Sequence, residues 1–209
     1  MNKNIYFKIF KVFINYPYCS ITIINIFNDF IELNIDKNII KLDKHKIINI
    51  DLKKLDFQII IKHIDTELVF NYNFQDIIIS GFGEDSKVET INGSKSIKDI
   101  VNNDKLLDTT GDNNNISIEN IIIFRITSQY LEQPVIIDKS TCGLNLPYEQ
   151  IIMSIKNNLK IKKIILKGRQ LYLNGKAKLY KYNEYIDLYN IETENKQDFF
   201  IAGFIVDSY

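Results

Sequence analysis

Isoleucine occupies 42 positions of this 209-residue chain, and alanine occupies two. That imbalance constrains the fold more than any motif. Isoleucine is stiff at χ1 and fits a pleated surface, whereas alanine is the strongest helix former. The chain therefore reads as all-β. Lysine outnumbers arginine 24 to two, and asparagine also reaches 24. This is the skew that AT-rich coding produces, and no catalytic motif stands above it.

Apolar residues make up 45 % of the chain and aromatics 12 %, enough for a sizeable core. Lys and Arg together number 26, as do Asp and Glu, so the formal charge is zero. No global field draws the chain to nucleic acid or membrane. Cys19 and Cys142 are too few and too far apart for a disulfide framework, which predicts a reducing, intracellular compartment. The most apolar window, Val12 to Ile31, is broken by Asn15, Pro17, Asn25, Asn28 and Asp29. No transmembrane segment or secretory signal is expected.

Residues 1–82 read as an N-terminal β-domain of short strands. Leu55, Phe57, Ile59 and Ile61 alternate with polar residues, the period of a half-buried strand. Further strands are expected at 19–27, 29–35, 46–52, 67–72 and 75–80, joined as antiparallel hairpins. From 83 to 118 the apolar runs stop, and Gly, Asn, Asp, Ser and Lys dominate. This reads as a polar linker or long loop, with one short helix near Ser96–Leu106. Residues 119–209 read as a C-terminal β-domain. Strands are expected at 121–127, 134–138, 160–167, 170–173, 176–182, 185–191 and 199–206. A short helix is expected after Pro147, over Ile151–Ile155. Asn174-Gly175 is a hairpin-turn signal. The prediction is thus two antiparallel β-rich lobes, sandwich or barrel-like, joined by a polar linker.

Few residues suit site chemistry. Cys19, Cys142, His45 and His63 are not paired at metal-ligand spacing, so no metal site is assigned. Cys142 in Ser140-Thr-Cys-Gly143 would need a base brought from elsewhere to act as a nucleophile. Gly81-Phe-Gly83 opens no helix and has no P-loop lysine; it reads as a turn. No catalytic residue and no cofactor is assigned. One charge pattern stands out: between Lys156 and Lys181 there are nine basic residues and no acid. From it we select Lys160, Lys162, Lys163, Lys167, Arg169, Lys176, Lys178 and Lys181, with Tyr172 and Tyr180 interleaved. A basic, tyrosine-bearing meander can bind phosphates, stack bases, or face an anionic membrane surface. It can equally be a solvated face whose lysines blunt sheet edges.

Lys163-Ile-Ile-Leu-Lys-Gly168-Arg-Gln-Leu171-Tyr172-Leu-Asn-Gly175-Lys-Ala177, followed by Phe199-Phe200-Ile201, resembles a motif of the GIDE (beside-a-membrane) β-domain. Pro134-Val-Ile-Ile-Asp138 resembles an earlier strand of that family. The resemblance spans about residues 119–203 and implies a β-rich interaction module. Family members are commonly membrane-anchored, and some carry a RING domain and ligate ubiquitin. This chain has no such anchor, and two cysteines with two histidines cannot fill a RING, so ligase activity does not carry over. Independently of the family, Gly168 and Gly175 are expected at tight turns where a positive φ is cheap.

The sequence therefore predicts a non-enzymatic interaction or assembly protein, with a protein partner or a homo-oligomer covering its sheet edges. The alternatives are an OB-like nucleic-acid-binding protein using 156–181, and an enzyme whose site assembles only in three dimensions.

Overall fold

The computed structural model describes residues 10–16, 20–26, 28–35, 37–51, 56–63, 66–73, 79–110, 115–139, 141–142 and 145–208. Strand makes up 53 % and helix 7 %, so the all-β expectation holds, and the large sheet curls into a half-barrel.

The N-terminal strands are β1 (Phe10–Tyr16), β2 (Ser20–Asn25), β3 (Ile31–Ile35), β4 (Asn38–Leu42), β5 (Ile47–Asp51), β6 (Asp56–His63) and β7 (Thr66–Asn73). β2, β3, β5, β6 and β7 fall where strands were expected, β1 and β4 were not expected, and the strand predicted at 75–80 lies mostly outside the described residues. Strands β4, β3, β6 and β7 form a four-stranded antiparallel sheet in that order.

The described residues of the polar stretch 83–118 are folded, contrary to the linker expectation. It begins at β8 (Phe82–Gly83) and carries β9 (Lys87–Thr90), β10 (Gly93–Ser96), a 3-10 turn at Ile97–Asp99, and β11 (Lys105–Leu107). Val88, Ile97, Ile100 and Leu106 are each no more than 1 % exposed. A few apolar anchors, on β9, on β11 and in the 3-10 turn, suffice to bury such a stretch, and a composition average hides anchors this sparse.

The next strands are β12 (Asn115–Thr127), β13 (Val135–Ile137), β14 (Ile151–Met153), β15 (Asn158–Ile161) and β16 (Ile164–Lys167). After them come α1 (Gly168–Leu173), β17 (Lys178–Leu179), β18 (Tyr185–Thr193), β19 (Phe199–Ile201) and β20 (Phe204–Val206). Two local expectations are exchanged. The helix predicted after Pro147 is strand β14, and the strand predicted at 170–173 is helix α1. Ile151 and Met153 alternate inward about Ile152, a strand pattern, while Gly168 and Leu171 are the buried side of the helix.

β12 and β18 form the central antiparallel ladder, from Ile118↔Thr193 to Thr127↔Tyr185. β1 joins the far edge of β12 in parallel, Val12↔Ile122 through Tyr16↔Ile126, while the other strand pairs among the described residues are antiparallel. The N-terminal hairpin therefore belongs to the same sheet as the C-terminal strands. β12 is buried on both faces. Ile121 and Ile123 enter a core with Phe199, Ile201 and Phe204; Ile122, Phe124 and Ile126 enter a second with Ile21, Leu33 and Ile61. An unbroken apolar run is what a strand covered on both sides requires.

Candidate functional site

The segment 79–208 enters and leaves the fold at one place. Immediately after Gly81 the chain pairs with β18, Phe82↔Tyr189 and Gly83↔Leu188. At the other end β20 runs beside β15, Ile205↔Lys160, and delivers Asp207 and Ser208. Ser80, Asn157, Asn190, Asp207 and Ser208 line a common polar cleft of about 270 Å³, with Lys156 at its rim.

A turn from Ser154 to Asn157 organises the cleft, closed by Asn157 N–H donating to the Ser154 carbonyl at 3.0 Å. Serine and asparagine favour turns because their short side chains bond nearby backbone. Here those side chains grip a remote segment. Ser154 Oγ donates to the Ile79 carbonyl at 2.8 Å. Ser154 N–H donates to the Gly81 carbonyl at 2.9 Å. Gly81 N–H donates to Asn157 Oδ1 at 2.7 Å. Ser154 is 3 % exposed, so these bonds are sheltered from water.

Gly81 has φ +130°, and a Cβ there would stand 2.9 Å from the Tyr189 carbonyl oxygen. Only glycine permits this approach to β18. Ser80, next to it, has its hydroxyl fixed by Asn190 Nδ2 at 2.8 Å. Opposite, Ser208 Oγ accepts from Thr193 N–H at 2.8 Å. Asp207 is bonded by Lys160, which also reaches Asp198 at 3.0 Å. These carboxylates, Asp207 foremost, hold the Lys160 ammonium above its ordinary pKa. Lys156 pairs with Glu132 at 2.9 Å. On β18, burial pushes Tyr189 up to about 12, so its phenol stays neutral.

The cleft thus sets a hydroxyl beside a peptide carbonyl that already accepts a buried hydrogen bond. Three asparagines, one carboxylate and one ammonium complete it. Those are the parts of an acyl-transfer site.

The residues singled out from sequence are spread over several elements. Lys160 turns to Asp198 and Asp207 at the edge of this cleft. Lys162 and Lys163 sit in the exposed β15–β16 turn, Lys167 precedes α1, and Arg169 and Tyr172 lie on α1. Lys176 and Lys181 are exposed, and Lys178 is 3.8 Å from Asp138. Tyr180 stacks near Tyr182 and packs against the second core rather than presenting its ring outward. The expected meander is therefore interrupted by a helix. Gly175 does take a positive φ, +71°, but Gly168 does not. A Cβ at Gly168 would lie 2.7 Å from Met153 Cε, so close approach explains that glycine.

Cys142 is half-buried, and burial raises its thiol pKa, the opposite of nucleophile activation. His45 is exposed in a turn; Cys19 and the His63 side chain lie outside the described residues. Among the described residues, no three metal-ligating side chains cluster. In the same set, no helix is long and apolar enough to cross a membrane, which does not bear on β-barrels.

Sequence reasoning missed Ser80, Ser154, Asn157 and Asn190. Ser154-Ile-Lys-Asn157 carries the turn signal, but the adjacent isoleucines were read as helical.

No protein-family model and no curated protein matches the chain. Among solved structures, it is similar to the gp41-1 intein, with 16 % identity and a TM-score of 0.40 over 63 % of this chain and all of that one. A DnaB intein from Synechocystis sp. PCC 6803 gives 11 % identity and 0.42, over 63 % and 99 %. The MchDnaB-1 intein gives 13 % and 0.40, over 61 % and 99 %. These neighbours are inteins, protein-splicing domains, and they give the expectation of a non-enzymatic assembly protein no support.

Proposed function

We propose that the cleft is a self-acting acyl-transfer site, with the Ser80 hydroxyl as nucleophile and the Ile79–Ser80 peptide as the bond acted on. The observation that carries this reading is the 2.8 Å hydrogen bond from the buried Ser154 hydroxyl to the Ile79 carbonyl. A donor aimed at a carbonyl oxygen stabilises the charge that develops there on attack.

Ser80 Oγ attacks the Ile79 carbonyl carbon. A C–O bond forms, the C–N bond to Ser80 breaks, and the hydroxyl proton ends on the Ser80 nitrogen. The product is an ester with a free amine, an isomer of the starting chain that needs no co-reactant. Water attacking the ester then frees residues 1–79 as an acid and leaves Ser80 as a new N-terminus. Asn190 positions Oγ. Asn157 and Ser154 hold Gly81 on either side, so the breaking bond is anchored. We assign the proton relay to Asp207, which lines the same cleft.

Incubation of the purified chain, followed by intact-mass measurement, tests the reading. Accumulation of a fragment beginning at Ser80, abolished in Ser80→Ala, is expected. A wild-type chain that stays whole as long as the Ser80→Ala control contradicts it and leaves the cleft as a closure of the fold.

A further inference from the structure

A second cavity, of about 460 Å³, lies at the opposite end of the β12–β18 ladder. It forms where the β1–β2 hairpin meets that ladder, with Asn15 opposite Arg125 in register. Its walls include Asn15, Ser20, Thr127, Gln129, Glu184 and Tyr185. Its volume is in the ordinary range for small-ligand sites, roughly 300–1,000 Å³.

We infer that this cavity binds a neutral polyhydroxylated ligand, a sugar of one or two rings. Charge argues first. Arg125 also lines the cavity, but its Nε and Nη2 both bond Asp187 at 2.8 Å, a bidentate pair that satisfies the guanidinium. Glu184 adds a negative charge. The site therefore gives no net attraction to an anion.

Hydrogen-bonding capacity argues next. The walls offer hydroxyls and primary amides, groups that match ligands whose hydroxyls both donate and accept. Asn15 donates to Ser20 and Thr22, each at 3.0 Å, so this wall is held before any ligand arrives. Thr127 Oγ is buried with no hydrogen-bond partner among the described residues. A buried polar group without a partner is unfavourable, and a ligand hydroxyl that reached it would relieve that cost.

The aromatic wall argues third. Tyr185 is 50 % exposed, and its ring is steadied by the Arg125 guanidinium 4.2 Å from its centroid. Arg125 covers one face of the ring, so the opposite face is the one that the C–H face of a sugar would meet.

The full-length chain probed on an array of neutral oligosaccharides, then titrated by calorimetry with maltose, lactose and cellobiose, tests this. Binding to at least one neutral sugar is expected, with Kd of about 1 mM or tighter. Tyr185→Ala and Thr127→Val should each weaken it, the former by about tenfold. Both variants are first compared with wild type by circular dichroism. Adding a phosphate to the preferred sugar should reduce binding. Absence of binding to every neutral sugar, a preference for the phosphorylated form, or equal affinity in both folded variants would overturn the inference.

Discussion

Ser154 Oγ and the Ile79 carbonyl oxygen lie 2.8 Å apart, joined by a hydrogen bond that spans 75 residues of sequence. This contact ties the start of the C-terminal segment to a turn in its middle. It also gives Ser154 two separable roles, as a structural donor and as a stabiliser of charge on that oxygen. Ser154→Ala should cost only about 1 kcal/mol of stability, yet slow release of the 80–209 fragment by roughly 10²–10³-fold. Urea unfolding and fragment kinetics, measured on the same preparation, separate the two. A rate loss no larger than the stability loss explains would leave Ser154 a structural residue.

Gly81 carries the strictest backbone requirement at the cleft. Gly81→Ala meets both a φ of +130° and a 2.9 Å approach to the Tyr189 carbonyl. Destabilisation of at least about 1–3 kcal/mol is expected. An unchanged urea midpoint would show that the turn relaxes freely.

β12 separates two cores, so neighbouring side chains should be equally costly to truncate. Ile122 and Ile123 are 1 % and 0 % exposed on opposite faces. Ile122→Ala and Ile123→Ala should each destabilise by about 2–5 kcal/mol. The informative residue is Ile122, whose burial needs the N-terminal strands to be seated. A cost below about 1 kcal/mol there, with Ile123→Ala severe, would mean that face is open in solution.

Alkaline pH should unfold the chain early. Burial pushes both Tyr130 and Tyr189 up to about 12. An unfolded tyrosine ionises near about 10. The folded state therefore keeps protons that the unfolded state gives up, and the stability these phenols contribute, complete below about 10, is lost as pH rises toward 12. Phenolate absorbance should show late-titrating tyrosines whose ionisation coincides with unfolding. Titration of all 12 tyrosines near their ordinary pKa, with stability unchanged, would contradict this.

Much of the architecture was legible because isoleucine placement reports it directly. Ile121–Thr127 reads as a strand, and it lies within β12. Ile59 and Ile61, alternating with polar neighbours, read as half-buried. What failed was the polar stretch, where Val88, Ile97 and Leu106 are isolated anchors in two short strands and a 3-10 turn, too sparse for any periodicity. Gly168–Leu173 failed for another reason: six residues are too few to display a helical period against a lysine-rich background. The cleft was not legible at all. Ser80, Ser154 and Asn190 are ordinary residues in a chain rich in such types, and only the β8–β18 pairing and the 154–157 turn bring them together.

Hydroxylamine trapping is the most direct test of acyl transfer at Ser80. The nucleophile cleaves an ester quickly and leaves ordinary peptide bonds intact under mild neutral conditions. The folded wild-type chain should yield residues 1–79 as a hydroxamate and residues 80–209 with a free amine. Ser80→Ala should remain whole, and Ser80→Cys should cleave faster, because a thiol reaches its nucleophilic anion far more readily than a hydroxyl. A wild-type chain that resists hydroxylamine as fully as Ser80→Ala, while Ser80→Cys also stays intact, would contradict the account.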